Sequence, residues 1–348
     1  MVKAAVKSKL NLEKRTALEE VIPLETPFLL YVDPSSACNF RCQFCPTGHI
    51  DLVQAADYKR RVLDLRLFEK LLTDLGAFPD PLRVMRMNKV GEPLLNRNLP
   101  TMIRLAKESG RVGYIDLATN ASLFSPELLT GLVAAGLDRL NISLEGMSRE
   151  QYRERAKVEI DFSRLVDNIR WLYPRRGKCE ITIKIPGNYL STEDQAEFFD
   201  MFGDYCDRIF VEELSPIWPE FDVETRAGVL APESEGQYRQ RLQDKDVCTY
   251  LFYAMAINAD GTVSACCPDW EQKLVVGDLR RQPLREIWNS CAMGNLRRLH
   301  LEGKRRDNPV CRACGHVKYA QVDNIDSYKP QLLAKLASRE LAERGANA

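Results

Sequence analysis

Histidine is scarce in this chain, with three in 348 residues, so any metal centre it builds must be mostly thiolate. Net charge is missing too: 49 basic residues balance 49 acidic ones. That leaves no global electrostatic case for nucleic acid or a membrane surface and favours a small or neutral partner. Nowhere do 18 apolar residues run together, and the opening stretch MVKAAVKSKLNLEKRTALEE carries charge throughout instead of an apolar leader. These absences predict a soluble, cytoplasmic protein. In a reducing compartment the eleven cysteines are not expected to form a disulfide framework, and grouped thiols there more often bind metal.

What the sequence does contain is a β-α rhythm. Six β-like runs, at 28–33, 83–88, 113–118, 139–144, 180–185 and 208–213, alternate with segments of helical period such as LDLRLFEKLLTDLG and FSRLVDNIRWLY. Ser125 before Pro126 offers an N-cap, and Gly110 and Gly136 follow helix ends. The alternation predicts an α/β fold, a parallel sheet with helices outside, open or curled into a partial barrel. After residue 215 the rhythm stops. SPIWPEFDVETRAGVLAPESEGQ reads as a linker or surface loop, and AINADGTVSACC has the alternation and Asp-Gly turn of a hairpin. The expected organisation is an N-terminal extension at 1–26, a β/α core at 27–215, a linker at 216–245, a small hairpin-and-helix domain at 246–326 and a helical tail at 327–348.

The stretch SSACNFRCQFCPTG (35–48) places Cys38, Cys42 and Cys45 on a loop after the first strand, at the strand's C-terminal end, where α/β proteins do their chemistry. Three thiolates are one short of a closed zinc site. A cubane iron-sulfur cluster held by three protein ligands leaves its fourth iron open, and Phe40 and Phe44 can shield it from water. The motif CNFRCQFC resembles the signature of the radical S-adenosylmethionine (SAM) superfamily. That resemblance implies a (β/α)6 partial barrel and a [4Fe-4S] cluster whose open iron is chelated by SAM. It also implies reductive cleavage of SAM to a 5′-deoxyadenosyl radical. Within it, VGEP (90–93) is similar to the family's Gly-Glu-Pro motif and gives Gly91 and Glu92 as the holders of the SAM amino group. ATNAS offers Asn120, with Ala121 where glycine is usual, NISLEG offers Ser143, with Glu145 for the commoner Asp, and YRERAK offers Arg155 for the SAM carboxylate, with Arg153 as its rival.

Cys248, Cys266, Cys311 and Cys314 form a second constellation, which on chemistry alone suits either a structural zinc or a closed Fe-S cluster. Their arrangement is similar to the SPASM and twitch extensions of radical SAM enzymes, which bind auxiliary [4Fe-4S] clusters. No cysteine follows Cys314, so the chain looks like the shortened, one-cluster variety, as in 2-deoxy-scyllo-inosamine dehydrogenase. Cys179, Cys206 and Cys291 read as packing residues. Cys267, beside a ligand position, is a candidate hydrogen-atom donor.

An auxiliary cluster is useful where a substrate radical must lose an electron. The expected reaction is therefore oxidation of an alcohol carbon in a sugar- or cyclitol-like small molecule, fed by an electron donor such as flavodoxin or ferredoxin. Epimerisation with a cysteine donor and modification of a peptide are the alternatives within the family; a non-catalytic zinc-thiolate module lies outside it. Related peptide modifiers commonly carry an N-terminal recognition domain, and the 26 residues before the first strand favour a small substrate. His49, Lys89, Lys184, Glu213 and Asp269 are expected to face the interior, with Trp218 and Trp270 as stacking walls.

Overall fold

The computed structural model describes residues 3–8, 10, 12 and 14–346, with side chains as far as Arg339. Its strands are β1 (Ala5–Val6), β2 (Leu29–Val32), β3 (Leu82–Arg86), β4 (Val112–Thr119), β5 (Arg139–Ser143), β6 (Glu180–Pro186), β7 (Arg208–Glu212), β8 (Ala254–Ile257), β9 (Thr262–Ser264) and β10 (Val275–Asp278). They form one sheet in the order β1-β7-β6-β5-β4-β3-β2-β8-β9-β10. The six expected strands are β2 to β7, paired in parallel in chain order, with helices between them. This is the partial barrel that the β-α rhythm predicts.

The helices form where apolar residues recur at helical spacing behind a capping side chain. Asp64 accepts from two backbone amides at the start of Leu65–Leu75, and Phe68, Leu71, Leu72 and Leu75 turn inward from that helix. Ser125 caps Pro126–Ala134 through the amide of Leu128, as the sequence indicates.

The two faces of the sheet differ. Leu30, Val32, Met85, Ile115, Leu117, Leu140, Ile142, Ile181, Ile183 and Ile209 lie on one set of alternating positions and join the helices in the main core. The other set turns to the barrel interior and is polar. Asp116, fully buried, receives Arg86 at 2.8 Å, Arg139 at 3.0 Å and the amide of Asn141, while Arg86 also donates to Tyr31 at 3.1 Å. A parallel sheet covered on both faces is normally apolar on both. The buried charges here are paired and hydrogen-bonded to one another, which is the condition under which an interior tolerates them.

The hairpin region does not stand apart from the barrel. β8 pairs in parallel with β2 over Leu29–Val32, and β9 and β10 continue the sheet in antiparallel fashion. At the other edge the N-terminal extension supplies β1, parallel to β7. The tail is helical over Lys329–Ala346 and docks, with Leu332 and Leu336 buried and Lys335 donating to the carbonyl of Glu19.

The segment expected as a linker or surface loop is a packed strap. Leu214, Phe221, Val223, Ala227 and Val229 form their own apolar cluster with Phe44 and Leu52 of the cysteine-loop region. Its Pro and Gly residues mark it as a loop, yet it carries a short helix, Val223–Ala227, capped by Asp222 and closed by Gly228, and its apolar residues are what bury it.

Candidate cluster and cofactor sites

β2 runs into Asp33 and Pro34, and the loop that follows carries Cys38, Cys42 and Cys45. The loop is fixed by backbone hydrogen bonds: Arg41 and Gln43 donate to the carbonyls of Ala156 and Arg155, both at 2.9 Å, and Cys45 donates to Cys42 at 3.1 Å. Gly48 is needed there, because a Cβ would lie 2.5 Å from the Cys42 carbonyl oxygen. Phe40 is buried edge-on against Tyr152, and Phe44 packs against the strap. Burial, then the neighbouring thiols and carboxylates, pushes the Cys38 thiol up to about 12 and raises Cys42 and Cys45 as well. Three mutually close thiols held in one shielded loop fit a metal cluster, which binds them as thiolates and releases their protons.

The VGEP turn meets this loop directly. A Cβ on Gly91 would lie 1.9 Å from the Ser35 oxygen and 2.6 Å from the Ala37 oxygen, so only glycine allows the approach. Glu92 donates its amide to Ala37 at 2.8 Å. Its carboxylate is buried and accepts from the amide of Leu94, the hydroxyl of Thr119 and the amide of Asn120. Burial holds that carboxyl up at about 7. Asn120 in turn donates to Asn39 at 2.9 Å, next to Cys38. The usual glycine is replaced at Ala121, which nevertheless adopts a left-handed φ of 61°.

Ser143 ends β5 and pairs in register with Lys184. Glu145 beyond it is buried, and burial raises its carboxyl to about 8 despite Lys184 and Arg155 nearby. The two arginines of YRERAK separate cleanly. Arg153 is exposed and paired with Glu159, whereas Arg155 is buried, donates to Gln151 at 3.2 Å and to the Tyr189 carbonyl, and lies over the Tyr189 ring. Gly91, Glu92, Asn120, Ser143 and Arg155 therefore all lie on the side of the barrel that carries the cysteine loop.

Cys248, Cys266, Cys311 and Cys314 line one cavity together with Pro219, Leu251, Leu274, Val310 and Val317. Burial pushes Cys311 and Cys314 up to about 12, and Cys266, Cys311 and Cys314 each feel Cys248. Among the described residues no three His, Cys, Asp or Glu side chains converge closely enough to hold a single metal ion. Four thiols on one cavity are a donor set that suits a closed iron-sulfur cluster as well as a structural zinc. Adjacent Cys267 is half-buried, is not among the cavity-lining residues, and lies within electrostatic reach of Tyr31, Tyr238 and Tyr250. Cys179 and Cys206 are buried packing residues, and Cys291 is exposed.

The strap joins the two sites. His49 donates Nε2–H to the Gln43 carbonyl at 2.7 Å and receives Arg226 of the strap, which also pairs with Asp51. At the far end, the Cys314 thiol donates to the Ile217 carbonyl at 3.5 Å, and Trp270 donates to Pro219 at 3.0 Å. Trp270 is thus a buried anchor and not an open stacking wall, while Trp218 is half-buried against the strap. Lys89 is buried and committed to Asn258 and the Asp269 carbonyl, Asp269 caps the amides of Lys273 and Leu274, and Lys184 pairs with Glu212. Glu213 accepts from Asn188. Periodicity alone does not single out Arg86, Asp116, Asn141 or Glu212, the polar residues on inward positions of otherwise apolar strands. A charged or amide residue within such a strand is the signal that identifies them.

Residues 32–202 match the family described as the radical SAM superfamily, and residues 248–315 match SPASM, an iron-sulfur cluster-binding domain. A probable GTP 3′,8-cyclase of Saccharolobus solfataricus is 32% identical over 202 residues, covering 56% of this chain and 58% of that protein. The chain spans between about a third and three fifths of the length of the curated relatives first matched. Among solved structures, BtrN in complex with AdoMet and 2-DOIA superposes with a TM-score of 0.54 at 18% identity, covering 86% of this chain and 97% of BtrN. SuiB of Streptococcus suis bound to S-adenosylmethionine gives 0.61 at 16% identity, covering 80% and 70%. At such identities these structures speak to the fold. The family's cofactors are a [4Fe-4S] cluster with SAM and, in SPASM domains, auxiliary Fe-S clusters; the three-thiol loop and the four-thiol cavity have the donor sets and shielding for both. No helix among the described residues is long and apolar enough to cross a membrane. Motif, fold and domain order agree, and the chain is a member of the radical SAM superfamily with a C-terminal SPASM domain.

Proposed function

We propose that this enzyme oxidises an alcohol carbon of a polar small molecule of the sugar or cyclitol class to a carbonyl. One observation supports the reading: Cys266 lines the four-thiol cavity, while adjacent Cys267 does not and lies within electrostatic reach of Tyr31 on barrel strand β2. An electron acceptor held in that cavity lies next to the substrate space. When bound, SAM and the two clusters supply the one-electron chemistry, removing a hydrogen atom from the carbinol carbon and taking up the second electron of the oxidation. The remaining hydroxyl proton leaves to a base or to water.

The chain's own residues hold and orient. Cys38, Cys42 and Cys45 carry the first cluster and Cys248, Cys266, Cys311 and Cys314 the second. Gly91 lets the VGEP backbone approach, Glu92 and Asn120 lock that turn to the cysteine loop, and Ser143 and Arg155 contact the polar end of SAM. The interior offers polar groups to a hydroxylated ligand: buried side-chain oxygens without a partner include Oδ1 and Oδ2 of Asp33, Oδ1 of Asn88 and Asn141, and Oε2 of Glu145. A cytoplasmic flavodoxin or ferredoxin is the expected reductant.

Cys267, within electrostatic reach of Tyr31 on β2, favours a second reading in which its thiol returns a hydrogen atom and inverts the carbon. Incubation with SAM, dithionite and a panel of cyclitols and hexoses in deuterated buffer separates the two. Oxidation yields 5′-deoxyadenosine and a product lighter by two hydrogens. A product heavier by one solvent deuterium, abolished by Cys267→Ala, refutes oxidation and establishes epimerisation.

A further inference from the structure

The wall of the four-thiol cavity contains polar groups that none of the roles above uses. His300 lies in the last turn of the helix Cys291–Leu301, fully buried on the same side as Met293, Arg297 and Leu301. The amide of Cys248 donates to His300 Nδ1 at 3.1 Å. A ring nitrogen that accepts a hydrogen bond carries no proton, so the imidazole proton is on Nε2. Nε2 is buried and has no partner in the protein, while the ring lines the cavity beside all four thiols. Arg305 lines the same cavity. One of its terminal nitrogens donates to the Cys311 carbonyl, its Nε–H is buried without a partner, and its charge reaches Cys248, Cys311 and Cys314.

Buried N–H groups are rarely left unmade, because each forfeits its hydrogen bonds to water. His300 Nε2–H and Arg305 Nε–H, with His316 Nε2 a third buried nitrogen without a partner on a residue lining the same apolar cavity, point to an acceptor that belongs among the four sulfurs. A thiolate-ligated cluster provides one: its sulfurs accept hydrogen bonds, and four thiols already complete its irons, so the imidazole has no coordination position to fill.

We propose that His300 donates Nε2–H to a sulfur of the auxiliary cluster and that Arg305 sets a fixed positive charge against it, together raising the potential at which that cluster accepts an electron. Reduction adds negative charge to an already anionic centre. In a medium of low dielectric, a hydrogen-bond donor and a cation stabilise the reduced form more than the oxidised one. The inference rests on the four-thiol cluster and not on the choice of substrate, so it is testable without one.

The test uses the full chain with Cys38→Ala, Cys42→Ala and Cys45→Ala, which leaves only the auxiliary site. It is reconstituted anaerobically and titrated against redox mediators, with EPR as the readout. His300→Asn keeps an acceptor for the Cys248 amide but removes the distal donor, and the midpoint is expected to fall beyond the reproducibility of the titration at unchanged iron content. His300→Gln, whose amide nitrogen reaches the Nε2 position, is expected to stay closer to the parent, and Arg305→Met to fall. A parent-like midpoint in His300→Asn at full iron content overturns the assignment of His300, and the same result in Arg305→Met overturns that of Arg305. Loss of iron from both His300 variants makes that residue purely structural and also overturns its assignment. Failure of the oxidation reading would leave all these midpoints unchanged, so the two proposals fall separately.

Discussion

Replacing Gly91 by Ala tests whether the VGEP turn is a steric cradle for the cysteine loop. The added Cβ would lie 1.9 Å from the Ser35 oxygen and 2.6 Å from the Ala37 oxygen. Both are backbone atoms just ahead of Cys38 and have no rotamer through which to escape. Restoring van der Waals separation requires the loop to move by about 1.5 Å, which breaks the Glu92 to Ala37 hydrogen bond of 2.8 Å. Overpacking costs about 1–3 kcal/mol and the lost hydrogen bond about 1 kcal/mol. The sum, on the order of 2–4 kcal/mol, is a large share of a domain's stability. Denaturant unfolding of the apoprotein measures it, and iron and sulfide counts after reconstitution report the site. The variant should retain about four irons per chain where the parent holds about eight. Gly110→Ala is the control: φ there is 64° and nothing lies within 4 Å of the added Cβ. It should cost only backbone strain, about 1 kcal/mol, with no change in iron. Gly91→Ala at parent stability and full iron, or Gly110→Ala losing as much iron as Gly91→Ala, would refute the reasoning.

Ala121 sits at a φ of 61°, so Ala121→Gly should raise stability by about 0.5–1 kcal/mol after the added freedom of the unfolded chain is deducted; a lower denaturant midpoint would show that the alanine methyl matters more than its strain. Glu145 is pushed up to about 8 from an ordinary 4.5, so the folded apoprotein binds that proton more tightly than the unfolded chain and loses stability as pH rises between those values. Glu145→Gln should flatten this slope and stabilise the apoprotein at pH 8 by a few kcal/mol, on the order set by linkage, with little change near pH 4; equal slopes in thermal melts would exclude Glu145 as the cause. Arg155→Ala should weaken SAM binding by about tenfold or more, equivalent to about 1.4 kcal/mol, while Arg153→Ala, which loses only an exposed pair with Glu159, leaves it within error in equilibrium dialysis. Comparable losses in both would remove Arg155 from the SAM site. With Cys38, Cys42 and Cys45 all changed to Ala, about four irons should remain, and a colourless protein holding zinc would remove the auxiliary cluster.

Much was determined by the sequence alone. The alternation of six β-like runs with helical periods gave the partial barrel, because period 2 and period 3.6 are local properties of the chain. Five of the seven proposed ligand cysteines stand out in the sequence because the spacing within C-x3-C-x2-C and C-x2-C is short-range; Cys248 and Cys266, 18 residues apart, join them only through the resemblance to SPASM domains. Three matters lay beyond it. The pairing of β8 with β2 joins residues more than two hundred positions apart, and no local pattern encodes such a register. The strap at 216–229 reads as a loop because it has no periodicity, yet its apolar residues bury against Phe44 and Leu52; burial depends on what the rest of the chain brings to it. Arg153 and Arg155 are equivalent in YRERAK, and helix rotation against Tyr189 separates them, one exposed and one buried. His300 is the same kind of case: in sequence it is one residue of an amphipathic helix, and only the fold brings it to a cavity lined by four cysteines from three distant segments. Spacing along the chain specifies which atoms can bind a cluster, and tertiary packing decides which atoms face it.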